Sequence, residues 1–231
     1  MKHLFFYILV LFCCSFLKAQ TLEGEAFIRN LHQVFYQAPC KIYSFSQKNY
    51  HYRNDSLVGN SLWHEAIEFP DKFRIWFGDK EKGNSVFFRN DSTINYKNGK
   101  VYKTRSDSNT LLLILGGMFY REIEEVLERL INAGYNTKAY HEQNWNSNAV
   151  IVVGANQEDL NSNQIWFEKA TWKVIRVIER INKNETMDMR FDTYQNWCKG
   201  HVETKVAFYR NGKLEQVEEY YDLKVLDVFP D

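Results

Sequence analysis

The side chains best suited to proton transfer or metal ligation are five histidines, His32, His51, His64, His141 and His201, and their spacing serves neither task. None of the five is followed at the third or fourth position by another histidine or cysteine, the arrangement that sets two ligands on one face of a helix. His64-Glu65 and His141-Glu142 are adjacent pairs, which on a strand point to opposite faces, one side chain solvated and one partly packed. Glu122, Glu124, Glu125 and Glu128 read as the wet face of a helix. There is no Gly-x-Ser-x-Gly elbow, no phosphate-binding Gly-Lys loop, no Gly-x-Gly-x-x-Gly and no His-Glu-x-x-His. Nothing argues for two carboxyls held at the separation that glycoside hydrolysis needs. The expectation is a protein without catalytic residues, metal or cofactor, not an enzyme. Of the cysteines, Cys40 and Cys198 either pair in an oxidising compartment or stay as two buried thiols, and neither has an adjacent His or Cys for a metal site.

Residues 1–19 read as an export signal: Lys2 and His3, an apolar run from Leu4 to Leu17, then Lys18-Ala19 as the cleavage point before Gln20. The run falls short of the ~20 apolar residues a membrane span needs. Cys13 and Cys14 raise lipid attachment, but that chemistry wants a small residue ahead of the cysteine and Phe12 stands there. An exported, soluble chain is therefore expected over a lipoprotein. The full sequence has 29 basic and 29 acidic residues, and removing Lys2 and Lys18 with the leader leaves 27 against 29. That balance argues against nucleic acid and anionic membrane surfaces as partners. Residues 20–231, with no low-complexity break, fit one domain.

The pattern that must position any site is mostly period two. Trp63, Ile67 and Phe69 fall on one parity, and Phe73, Ile75 and Phe77 on one parity after the Phe69-Pro70-Asp71-Lys72 reversal, so each set falls on one sheet face. Asn98-Gly99 and Asn211-Gly212 each sit between strand-like runs, the strongest short hairpin signal. Two stretches break the meander. Phe27, Leu31, Val34, Phe35 and Ala38 make one face of a helix over 22–38, capped by Thr21 and stopped by Pro39. The greasy segment Asn109–Tyr120, interrupted at Gly116-Gly117, then leads into a helix with Ile123, Val126, Leu127, Leu130 and Ile131 on one side. Later, Met187, Met189 and Phe191 face one way, opposite Asp188, Arg190 and Asp192. Val174–Ile178 is apolar on both parities, which calls for a cover such as a helix.

A meander of this length must close, stack or be covered at its open side. If the two helical segments fill the concave face completely, the result is a scaffold or interaction module. If they fill it partly, the remaining apolar cavity accepts an apolar ligand, with Met187 and Met189 as an adaptable wall.

The order helix, Phe45-Ser46-Gln47-Lys48, Gly59, Phe69-Pro70, Phe73-Arg74-Ile75-Trp76, then Arg89-Asn90-Asp91-Ser92 and Asn95-Tyr96, resembles the LolA/LolB lipoprotein-carrier superfamily over about residues 22–105. The resemblance implies a mainly β (α+β) fold: an open antiparallel half-barrel covered by an N-terminal helix and a central helical insertion. It further implies a periplasmic carrier that holds lipoprotein acyl chains or another lipid, taken from an inner-membrane transporter complex and delivered to an outer-membrane acceptor. Carried over by position, the wall is Trp63, Ile67, Phe73, Ile75, Phe77, Val86 and Phe88, and the lid Leu112 and Leu115. Family members place a lid-latching arginine just before the hairpin proline, where this chain has Phe69. The alternative of the same fold is an envelope sensor or interaction module with a filled core.

Overall fold

The computed structural model describes residues 23–230; the expected leader and the Thr21 cap lie outside the described residues. Helix α1 (Glu23–Phe35) precedes six strands: β1 (Ile42–Arg53), β2 (Ser56–Glu68), β3 (Lys72–Phe77), β4 (Ser85–Arg89), β5 (Ser92–Lys97) and β6 (Lys100–Ser106). An insertion follows, with α2 (Thr110–Leu115), a 3-10 turn at Gly117–Tyr120 and α3 (Ile123–Asn132). Seven more strands complete the chain: β7 (Asn136–Trp145), β8 (Asn148–Gly154), β9 (Gln164–Glu168), β10 (Val174–Asn182), β11 (Glu185–Trp197), β12 (Gly200–Arg210) and β13 (Lys213–Val225).

All thirteen strands form one antiparallel sheet in the order β6-β5-β4-β3-β2-β1-β13-β12-β11-β10-β9-β8-β7. Every neighbour is a sequence neighbour except β1 and β13, so two meanders are sewn together through the first and last strands. The tight reversals are supplied by residues that tolerate positive φ: Asn98 and Gly99 at 50° and 74°, and Asn211 and Gly212 at 49° and 77°. The sheet stays open, with β6 and β7 as its edges, and the helical insertion connects them.

The main core lies on the concave side under α1 and α3. Ile28 and Leu31 from α1 and Val126, Leu127 and Leu130 from α3 pack against Ile151, Phe167, Val177 and Val206 of the sheet. The flanking positions Val34 and Ile131, which the periodicity placed on the apolar stripes, are exposed. The two-sided apolar character of Val174–Ile178 has two sources, the expected helical cover on one side and a second cluster on the other. Val177 joins the main core, but Ile175 belongs to a second cluster with Val150, Val152 and Trp166, against which Trp145 and Tyr194 pack. A register shift between Val174 and Arg176 lets one strand serve both clusters. Arg176 lies over Trp166 at 4.5 Å and is held by Asp188 at 2.7 and 2.8 Å, so the sheet's own side chains cover that second cluster.

Candidate functional site

Directly paired residues of antiparallel strands share a sheet face, and the register across β2, β3 and β4 places a continuous apolar surface on the concave side. Trp63 pairs with Phe77, Ile67 with Phe73, Phe73 with Phe88, and Ile75 with both Glu65 and Val86. Above this surface sits a partly enclosed cavity of about 180 Å³. Trp63, Ile67, Phe73 and Ile75 form one wall, Phe191, Val202 and Val206 the facing wall, Tyr43 and Phe45 of β1 the floor, and Leu112 and Leu115 of α2 the cover.

The remaining sequence-derived positions lie elsewhere. Phe77 stands at the rim, 38% exposed, its ring edge-on to Trp63 at 5.1 Å. Val86 shares the face but lies beyond the cavity, one strand further out. Phe88 stacks on Phe73 at 5.7 Å and lines a separate cleft. Met189 is buried in the main core and Met187 packs at its edge; on β11 it is Phe191 that reaches the cavity. Sequence reasoning missed the contribution of β12 and β13, because those strands meet the wall only through the β1–β13 pairing.

The lid is held by shape and by charge. Asn109 caps α2, its side-chain oxygen accepting from the Leu112 amide at 2.9 Å. Phe69, buried to 2% exposure, stacks against Tyr120 at 6.0 Å and tucks beneath Gly116, where an added Cβ would lie 2.2 Å from its ring. The expected interruption at Gly116-Gly117 is therefore the space the Phe69 ring occupies. Where Phe69 stands, the nearby charge comes from the insertion: Arg121, just ahead of α3, pairs with Asp71 of the hairpin and with Glu125. Arg129 of α3 grips Asp91 through two bonds, at 2.8 and 3.1 Å, and that hydrogen bonding holds the Asp91 carboxyl below its usual range. Arg29 joins α1 to Glu124 at 2.6 Å. The Arg121 and Arg129 pairs flank a cleft of about 670 Å³, whose lining of Asp71, Arg89, Asp91, Glu125 and Arg129 suits water better than hydrocarbon.

The apolar cavity carries an unexpected electrostatic feature. Glu65 does not stand on a solvated face: parity with Trp63 and Ile67 turns it inward, and it is 3% exposed. Glu203 and Glu218 line the same volume. Glu218 accepts from Tyr220 Oη and Gln216 Nε2, both at 2.6 Å. No side chain among the described residues donates to Glu65, and none of the cavity's lining residues is Lys, Arg or His. Burial pushes the Glu203 carboxyl up to about 7 and raises Glu65 and Glu218 too, and the Glu218 charge adds to the rise at both Glu65 and Glu203. No group of three His, Cys, Asp or Glu among the described residues is placed to hold a metal ion. The histidines are engaged singly, His32 to the Arg121 carbonyl at 2.8 Å, His64 to Ser46 at 3.0 Å and His51 to Ser61 at 2.9 Å. Beside the cavity, Cys40 and Cys198 form a disulfide with Cα atoms 5.5 Å apart, and Cys40 packs with Tyr43, Phe45 and Phe69.

No family model matches this sequence, and no curated protein matches it. Solved structures do match. A domain from Vibrio parahaemolyticus named for outer membrane lipoprotein sorting superposes with a TM-score of 0.63 at 13% identity, over 90% of this chain and 96% of that one. A DUF1329 family protein from Desulfovibrio piger gives 0.58 at 12%, covering 90% and 94%. A LolA superfamily protein from Nitrosomonas europaea gives 0.53 at 10%, covering 85% and 94%. At these identities the likeness establishes the shared fold, the open half-barrel.

Proposed function

We propose that this chain is a non-enzymatic carrier or chaperone that shelters an acyl chain of a lipoprotein, or of another lipid, in the cavity beneath α2, and that it works in the periplasm on the way to the outer membrane. The observation that carries this reading is the unfilled apolar volume between Phe73, Ile75, Phe191 and Leu115. Its fold likeness to a LolA superfamily protein and to a lipoprotein-sorting domain supports the same conclusion. A cavity of ~150 Å³ takes a benzene-sized guest, so about 180 Å³ holds a short segment of one chain. At ~0.8 kcal/mol per buried CH₂, six methylenes contribute roughly 5 kcal/mol. Larger cargo requires α2 to lift, and an inner-membrane donor and outer-membrane acceptor are the partners such a cycle calls for.

Mass spectrometry of the purified protein should recover bound lipid, and an uncharged fluorescent acyl probe should bind. Ile75→Glu, at a half-buried position facing the hollow, should remove probe binding and leave the thermal melt in place. Absence of both lipid and probe binding in the unaltered protein would sink the carrier reading and favour the second one, an interaction or sensor module. That alternative draws its support from the buried apolar cluster under α1 and α3.

A further inference from the structure

Acyl chains alone do not explain the cavity. Hydrocarbon against Glu65, Glu203 and Glu218 strips water from three carboxyls and returns no hydrogen bond, a cost that buried acids avoid only by pairing or by staying protonated. Glu218 already has two donors, whereas Glu65, at 3% exposure, has none among the described residues and looks into the empty volume. A carboxylate or phosphate head would bring a further negative charge to a lining without a single basic side chain. A hydroxyl head offers one donor. A primary ammonium offers three donors and no acceptor, matching three acceptors that converge on one volume. Tyr43 and Tyr220, on the same lining, add ring faces that attract a cation.

We propose that the hollow is a receptor for a single-chain amphiphile with a protonated amino head, seated among Glu65, Glu203 and Glu218, its tail lying between Phe45, Ile75 and Leu115. This rests on the carrier reading and narrows the ligand class within it. The titratable groups facing the head are Tyr43 on β1, Glu65 on β2, Glu203 on β12 and Glu218 and Tyr220 on β13; β3, β11 and α2 present none. Burial raises all three acids in the empty protein, Glu203 and Glu218 to about 7, so those two gain their charge as pH rises through neutrality.

Isothermal titration of the full mature chain with octylamine, octanol and octanoate at pH 8 and pH 5 tests the assignment. At pH 8 octylamine should bind about ten-fold or more tighter than octanol, with octanoate weakest. At pH 5 that preference should shrink, since the carboxyls take up protons while the amine stays charged. Glu65→Gln and Glu203→Gln should each remove most of the preference for octylamine over octanol at pH 8. Glu203, the more accessible of the two, keeps the test available if the Glu65 variant does not fold. Octanol binding as tightly as octylamine, or an amine preference that survives both variants, overturns the amino-head assignment and leaves the carrier reading standing. Binding of none of the three overturns both.

Discussion

The two halves of the concave face are built from the same curved sheet and treated differently. Over β8–β10, α1 and α3 press long aliphatic side chains into the concavity, and Ile28, Val126, Leu130, Phe167 and Val177 are each at most 2% exposed. Over β1–β3 and β12–β13 only the six residues of α2 stand guard, and a volume of about 180 Å³ stays open beneath Leu112 and Leu115. The buried carboxyls Glu65, Glu203 and Glu218 all belong to the hollow half. The contrast separates a densely packed region from a hollow one. The filled half supplies the dense packing that holds a thirteen-stranded sheet in shape, which frees the other half to remain unfilled.

Paired truncations test that division most strongly. Phe167→Ala in the filled half should cost about 3–5 kcal/mol in a denaturant melt, and Phe73→Ala, which faces the hollow, about 1–2 kcal/mol while enlarging the cavity for a bulkier probe. Equal costs would mean both halves are ordinary core. Next in size is the disulfide, which braces the hollow half across 158 residues; Cys40→Ser with Cys198→Ser should lower stability by about 4 kcal/mol and leave the main core's melting cooperative.

The pH response should come from the hollow half and is smaller. The Glu203 carboxyl goes from an ordinary 4.5 up to about 7 in the fold. Its folded state therefore binds more protons than the unfolded chain between those values. Stability is fully present below 4.5 and is lost as pH rises through about 7, by no more than about 3 kcal/mol for this group. Denaturant melts at pH 5 and pH 8 should show the loss, and Glu203→Gln should flatten it. Asp91, held low by Arg129, acts in the opposite sense, its contribution being lost as pH falls through its depressed range. The smallest effect is expected at the lid. Arg129→Ala breaks a partly exposed pair with Asp91, should cost under about 1 kcal/mol, and should speed probe exchange measured by stopped flow. Unchanged exchange would show that the α3 pairs do not restrain the cover.

Much of this arrangement was legible in the sequence because strands report their faces through parity. The β2–β3–β4 wall follows from alternation around Phe69-Pro70, and α1 and α3 from apolar spacings of three and four, whereas α2 shows only as a greasy run. Parity reports a face, however, and says nothing of depth along it. Met187, Met189 and Phe191 share one, yet only Phe191 reaches the hollow. Glu65 carries the same parity as Trp63 and Ile67 and so faces inward, yet a carboxylate beside a histidine gives no local sign that it is buried. Glu218 and Tyr220 reach the site because β13 returns to β1, a pairing across more than half the chain that no local pattern encodes.

The route of the chain between the sheet's two borders has its own consequence. The polypeptide leaves one margin after Ser106 and rejoins the opposite margin at Asn136, with α2 and α3 strung between. Such a segment behaves as a drawstring and not as a flap: it has no free end to swing. If cargo enters beneath α2 as proposed, lifting that cover must pull on both margins, so admission of cargo and flexing of the sheet would be linked.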